Sequence, residues 1–287
     1  MTLLGAAVVL LVGIGAGLLS GLIGVGGGIV MVPFLYAFYA HPDWFGVSVP
    51  GAVVVAVAHA TSLFVIVPTS IRGAVTFHRA GLVVWKAVWA IAPASVVAAF
   101  VAASIAPALP GELLQLAFGL VLLASAVRML KPRRTAGADE EAPERPRRLH
   151  PLVTVPVGVA VGVFSALLGV GGGIVAIPLL LYVVGLRLRE VAATSLGIIV
   201  VTATAGTAGY MIGGGGTVPG MPWGSIGYVH VLTGAIMFVT SVVAVSWGAR
   251  LNQRLPARRL ALLFGSVFAL IGVDLVVRSG GGVLGLW

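Results

Sequence analysis

The sequence predicts an all-α polytopic membrane protein made of two inverted structural repeats, each a glycine-broken helical hairpin followed by three transmembrane helices. Three observations carry this prediction. The 287-residue chain is 59% hydrophobic and 9% charged, with a mean hydropathy of +1.13, whereas a soluble domain carries about 25% charged residues. One glycine-rich segment occurs twice. The Lys and Arg residues crowd into a few short stretches between long apolar runs. Runs near 20 apolar residues are long enough to cross a hydrocarbon core of roughly 30 Å. A soluble enzyme, a nucleic-acid-binding domain and a disordered chain are excluded by composition alone.

Turn signals divide the first half into apolar segments at 3–23, 28–40, 50–70, 81–104 and 112–130, and the second at 152–168, 174–186, 191–212, 228–248 and 257–278. The first segment lacks the basic start of a signal peptide and recurs later, so it is read as part of the mature fold. Residues 131–150, rich in Pro, Arg and Glu, form a charged linker between a first repeat (1–130) and a second (151–287). Gly17–Leu35 and Gly162–Leu180 are identical at 12 of 19 positions. Ala60-Thr-Ser-Leu63 returns as Ala193-Thr-Ser-Leu196, and Ser95-Val-Val-Ala98 as Ser241-Val-Val-Ala244. Such self-similarity marks two copies of one unit. The second segment of each copy is too short for a comfortable span, and Gly24-Val-Gly-Gly-Gly28 or Gly169-Val-Gly-Gly-Gly173 breaks the helix before it.

Seven basic residues lie from Arg128 to Arg148 and four from Arg250 to Arg259. Cytoplasmic loops carry such an excess, and it also meets anionic lipid headgroups, so the partners expected are membrane lipids and not nucleic acid. If each glycine hairpin turns back, a half makes three crossings. With the linker inside, Arg72/Arg79, Arg187/Arg189 and Arg250–Arg259 then also fall inside. The loops 41–49, 105–111 and 213–227, which lack Lys and Arg, fall outside with both termini. Four crossings per half would put Arg187/Arg189 and Arg250–Arg259 outside, against the rule. The odd count therefore inverts the halves. Hairpins that span fully give the same parity and stay open as a variant.

Inverted repeats joined at broken helices are the architecture of secondary transporters, with sites at the repeat interface. Helices starting near Ile29 and Ile174 would aim free N–H groups and positive dipole ends at an anion. The tips Gly24, Gly26, Gly27, Gly28 and Gly169, Gly171, Gly172, Gly173 are therefore the first candidate substrate-binding residues, against close helix packing by small residues. His59 sits near the centre of its segment, and a deep ionisable residue is a functional candidate; the alternative is a neutral His bonded to a neighbouring helix. If the substrate carries a proton, His59 is the candidate to couple to it. Thr61 and Ser62, with Thr194 and Ser195, would donate hydroxyl bonds to an oxyanion, unless they bond their own helices. Ser20 and Ser165 precede the tips at equivalent places. Arg72 would attract substrate at the inner mouth, or serve only as a topology charge. Trp85 and Lys86 read as an interfacial anchor. The small-residue face Ala98, Ala102, Ala103 would pack within a half or between protomers of a homodimer.

No carboxylate lies at depth to build a sodium or metal site. The five histidines show no metal-ligand spacing, and the absence of Cys excludes disulfides, iron–sulfur clusters and thiolate zinc. Neither an enzyme nor a cofactor is expected.

The glycine tips followed by Ile-Val and Pro33 or Pro178, together with the twin Ala-Thr-Ser-Leu segments, resemble the sulfite exporter family of TauE/SafE-type permeases. The resemblance covers nearly the whole chain outside the linker. It implies transport of a small sulfur-containing anion, such as sulfite, sulfoacetate or a related organosulfonate, across a bacterial inner membrane, with export as the expected direction. The family motifs fall on Gly24 to Gly28, Gly169 to Gly173, Thr61, Ser62, Thr194 and Ser195. An anion channel of the same architecture and a non-transporting membrane scaffold are the alternatives.

Overall fold

The computed structural model describes residues 1–130, 148–213, 218–254, 262, 265–266, 269–270 and 272–277. Linker residues 131–147, part of the loop 213–227, Arg258, Arg259, the Arg189 side chain and much of segment 257–278 lie outside this set. The fold is an all-α polytopic membrane protein. Its helices in chain order are α1 (Leu3–Ile23), α2 (Gly28–Ala40), the single turn α3 (Pro42–Phe45), α4 (Val54–Arg79), α5 (Trp85–Ile105), α6 (Gly111–Leu130), α7 (Pro151–Leu168), α8 (Gly173–Leu179), α9 (Leu188–Gly213) and α10 (Val231–Asn252). Among the described residues, six helices are long and apolar enough to cross a bilayer: α1, α4 with its leading 3-10 turn, α5, α7, α9 and α10. Their outward faces are apolar, with Leu11, Val97, Val159, Val243 and Trp247 exposed. In water such a surface would be an aggregation hazard; in lipid it is the expected exterior.

Helix α2 and the unit Gly173–Val184 are shorter. At 1.5 Å per residue, 13 residues reach only about 20 Å, so neither matches the hydrocarbon thickness. The last turn of that unit, Leu180–Val184, widens to a π-helix before Gly185, whose φ of 83° ends it.

Helix directions follow from which residues meet. Gly13 faces Met237 and Thr240, Gly17 faces Ser241, and Gly21 faces Val245 and Gly248, so α1 and α10 run parallel. Thr69 bonds Ser241 at 2.7 Å and Arg72 bonds Ser246 at 2.9 Å, so α4 runs with them. In the other set, Gly158 meets Ile91 and Gly162 meets Ser95. Thr202 donates to Ser95 at 3.0 Å, while Gly209 meets Phe100 and Ala103. Helices α5, α7 and α9 are therefore parallel to one another. Between the sets, Gly206 meets Leu63 and Gly73 meets Leu196, so α4 and α9 are antiparallel. The first and third long helices of each half thus pack on the third and first of the other. The contacts need glycine, because an added Cβ on Gly17, Gly21 or Gly248 would overlap a facing carbonyl oxygen. Ala98 and Ala103 pack against Gly162 and Gly209. That small-residue face therefore lies between the halves of one chain.

Two details differ from the sequence expectation. Segment 50–70 continues as helix to Arg79, because Pro68 does not end it and nothing in 71–78 breaks it. Arg72 thus sits within a helix instead of a loop. The loop before α10 holds a two-residue antiparallel pair, Ser225–Ile226 with Val229–His230, turned by glycines with positive φ at 224 and 227. The exposed Trp85 at the start of α5 donates its indole N–H to His78 at 3.0 Å.

Candidate functional site

Each tip is a glycine turn that only glycine backbones adopt cheaply. Gly24 has φ 81° and its N–H caps the Ser20 carbonyl. Gly26 and Gly27 follow with φ 89° and 82°, the left-handed region that costs other residues roughly 1–2 kcal/mol. Gly27 O then accepts from the Val30 and Met31 N–H groups at 3.1 and 3.3 Å and starts α2. The second tip repeats this: Gly169, Gly171 and Gly172 have φ 65°, 77° and 81°. Gly172 O accepts from Val175 and Ala176 at 3.1 and 2.8 Å. Among the described residues, the N–H groups of Gly26, Gly27, Gly28 and Ile29, and of Gly171, Gly172, Gly173 and Ile174, make no bond to a backbone carbonyl.

The two tips meet. A Cβ on Gly28 would stand 2.6 Å from Val170 Cα, and one on Gly173 would overlap Val25 Cα. Ile66 of α4 and Ile199 of α9 close over both, each within 3.5 Å of the Cβ positions of Gly26 and Gly171. Gly24 lies against the backbone of Ala192, and Gly169 against that of His59, whose ring carbon Cδ2 would stand 3.0 Å from a Cβ placed there. The close packing expected as an alternative for these glycines is therefore real. The question is what else lines their meeting point.

Polar groups without partners answer it. Six buried side-chain atoms have no hydrogen bond among the described residues: Ser20 Oγ, His59 Nδ1, Ser62 Oγ, Ser70 Oγ, Ser165 Oγ and Ser195 Oγ. Each belongs to a residue with no solvent exposure. An orphaned buried polar group costs about 1–3 kcal/mol, so five such hydroxyls and a ring nitrogen in one fold require a reason. Their positions supply one. On α4, Ser62 falls between His59 and Ile66 at helical spacings of three and four, on the stripe that touches the tips. On α9, Ser195 falls between Ala192 and Ile199 in the same way. Ser70 extends the α4 stripe by one more turn. Ser165 Cβ lies 3.2 Å from the Cβ position of Gly172, and Ser20 lends its carbonyl to Gly24.

The other candidates have different surroundings. Thr61 accepts the His230 N–H at 3.1 Å, and Thr194 accepts the Val84 N–H at 3.1 Å. His230 and Val84 are the residues preceding α10 and α5, so the twin threonines cap equivalent helices across the repeat boundary. Arg72 is exposed, and its Nε donates to Ser246. His59 Nε2 pairs with the Tyr36 hydroxyl of α2, which leaves Nδ1 as the free edge.

Sequence reasoning missed Ser70, although Thr69-Ser70 follows Thr61-Ser62 by eight residues, close to two helical turns. It also missed the tyrosines of α2. Tyr36 holds His59, and three residues on, Tyr39 reaches His230 Nδ1 at 3.5 Å, beside Thr233 at 2.8 Å. Burial holds the His230 imidazole at about 4, below the usual histidine range. No Lys, Arg, Asp or Glu is buried among the described side chains, and no group of His, Asp and Glu there has the makings of a metal site.

Comparison with known proteins adds three findings. The model of the family described as sulfite exporter TauE/SafE matches residues 9–275. A "probable membrane transporter protein" of Methanocaldococcus jannaschii is 28% identical over 93% of this chain and 94% of its own. One of the same description from Haemophilus influenzae is 28% identical over 94% of this chain and 97% of its own. No solved structure gives a significant match.

Proposed function

This chain belongs to the sulfite exporter TauE/SafE family of membrane transporters, and on that premise we propose that it is a permease for a small sulfur-containing anion of sulfite or organosulfonate type. It works by alternating access across a bacterial inner membrane, in the direction of export. The observation that carries this reading is the set of unpartnered hydroxyls and the free His59 edge around the meeting of the two glycine tips. Those groups, with the free tip amides, are the hydrogen-bond set that an oxyanion lacks once it has left water. The set holds no carboxylate.

The two halves form inverted repeats flanking the linker. The helix directions support this: α1, α4 and α10 run one way and α5, α7 and α9 the other, which puts the repeat counterparts α1/α7, α4/α9 and α5/α10 in opposite sets. The charge distribution supports a cytoplasmic linker with both termini outside. The contact between the tips belongs to a closed state, with Ile66 and Ile199 over it. Rocking of the halves would part the tips and open them to one side at a time.

Thermal stabilisation of the purified protein tests the binding step. A ligand that binds only the folded state stabilises it by RT ln(1 + [L]/Kd). Sulfite or a simple sulfonate is expected to raise the unfolding temperature in a concentration-dependent way, and the rise should vanish in Ser62→Ala/Ser195→Ala. If none of sulfite, sulfonates, thiosulfate and chloride shifts the transition, the tips are packing elements and the site assignment falls.

A further inference from the structure

We propose that the site accepts singly charged tetrahedral or pyramidal oxyanions and rejects doubly charged ones, so that hydrogensulfite and simple alkanesulfonates are ligands while sulfate and the sulfite dianion are not. This rests on the reading of the glycine tips as an anion site and narrows it by charge.

The inference comes from counting the charge that the protein sets against the ligand. Among the described side chains no Lys or Arg is buried, and Arg72 stands exposed and bonded to Ser246. The positive potential at the site therefore comes from dipoles. Two helical units begin at the tips, Gly28–Ala40 and Gly173–Val184, each with a terminal charge of about +0.5. Together they offset one negative charge. Among the described side chains no buried Asp or Glu subtracts from that sum.

The unpartnered side chains give an independent argument in the same direction. Ser20, Ser62, Ser165 and Ser195 each offer one neutral O–H donor, and His59, packed against Gly169, offers an unpartnered Nδ1. With Nε2 accepting from the Tyr36 hydroxyl, Nδ1 carries hydrogen and donates; with Nε2 donating to Tyr36, Nδ1 accepts a proton borne by the ligand. Either arrangement suits hydrogensulfite, and the first suits a sulfonate. None supplies the second positive charge that a dianion leaves behind in water. An uncompensated buried charge weakens binding by orders of magnitude, so a dianion should bind at least about 100-fold more weakly.

Among the described residues, the groups near the site that could titrate are His59 and Tyr36, with Tyr210 of α9, whose hydroxyl donates to the Ala166 carbonyl at 3.0 Å. A pH effect on sulfite binding could thus arise in the protein or in the ligand. Methanesulfonate separates them, since it stays a monoanion throughout.

The test is binding of methanesulfonate, sulfate and sulfite to the purified full chain, followed by calorimetry from mildly acidic to mildly alkaline buffer. The expected result is methanesulfonate affinity that does not change with pH, sulfate at least about 100-fold weaker, and sulfite affinity that falls as the ligand loses its proton. Sulfate binding within tenfold of methanesulfonate overturns the proposal while leaving the anion site in place. Methanesulfonate affinity that falls with pH as steeply as that of sulfite also overturns it, because the dependence then belongs to the protein. Failure of all three ligands to bind overturns the site reading and this inference with it.

Discussion

Gly173→Val is expected to remove most of the folded protein from the membrane, and Gly28→Val to do the same. A Cβ on Gly173 would overlap Val25 Cα, and one on Gly28 would stand 2.6 Å from Val170 Cα and 2.8 Å from the Gly169 carbonyl oxygen. The opposing atoms are backbone, so no rotamer change relieves the contact, and each backbone belongs to the opposite glycine turn. Inserting even small groups into a close-packed core costs about 1–3 kcal/mol. Here a branched side chain must part the two halves at their centre, and the expected loss is at the top of that range or beyond it. Gly15→Val in α1 is the control, since nothing lies within 4 Å of its Cβ position; its change should stay near 0.5 kcal/mol. Yield of monodisperse protein and unfolding temperature would check both. Normal folding of Gly173→Val would mean that the tips do not interlock. A glycine-to-valine change, including one at Gly27 with φ 82° and Ala16 O 2.7 Å from its Cβ position, is thus a test of packing and not of ligand contact.

Ser62→Ala with Ser195→Ala separates the two roles. Each hydroxyl is fully buried and unpartnered. Replacing a polar atom that makes no bond should leave stability unchanged or raise it by about 1 kcal/mol. Transport should move the other way. A hydrogen bond to a charged group is worth about 1.5–3 kcal/mol, or roughly 10–100-fold in affinity, and the double variant loses two. The expected signature is a protein that unfolds at the same or a higher temperature and transports poorly. Thr69→Ala is the contrast, because Thr69 bonds Ser241 and the Val65 carbonyl; it should destabilise the protein by about 1 kcal/mol with less effect on affinity. Loss of stability in the serine variant with unchanged transport would reverse the assignment.

Much of the fold was legible because the bilayer simplifies the code. An apolar run of about 20 residues has few structures open to it in lipid, so α1, α5 and α10 could be placed within a few residues. The duplicated Gly-Val-Gly-Gly-Gly also carried its own meaning, since successive glycines before a helix imply both a break and a close approach. What stayed hidden was cross-repeat pairing. Thr61 and Thr194 looked like free donors in identical Ala-Thr-Ser-Leu segments, and only the assembled halves bring the His230 and Val84 amides to them. Ser62 and Ser195, one residue further on, face the tips instead. A helical step of 100° decides between a cap and a free hydroxyl, and a sequence read in isolation does not say which face meets which neighbour. Helix length across 71–79 was missed for a related reason: two arginines read as a loop, whereas the helix carries Arg72 on its exposed face while Gly73, Ala74 and Phe77 beside it stay buried.

Substrate counterflow in liposomes containing the purified protein tests the central claim most directly. Vesicles preloaded with unlabelled sulfite or methanesulfonate should take up labelled substrate faster than empty ones, with a rate that saturates and falls in Ser62→Ala/Ser195→Ala. That result is what an alternating-access permease with a site at the glycine tips gives. Uptake that rises linearly with concentration and ignores the preload would contradict it and identify an anion channel, and no uptake of any small anion would identify a scaffold.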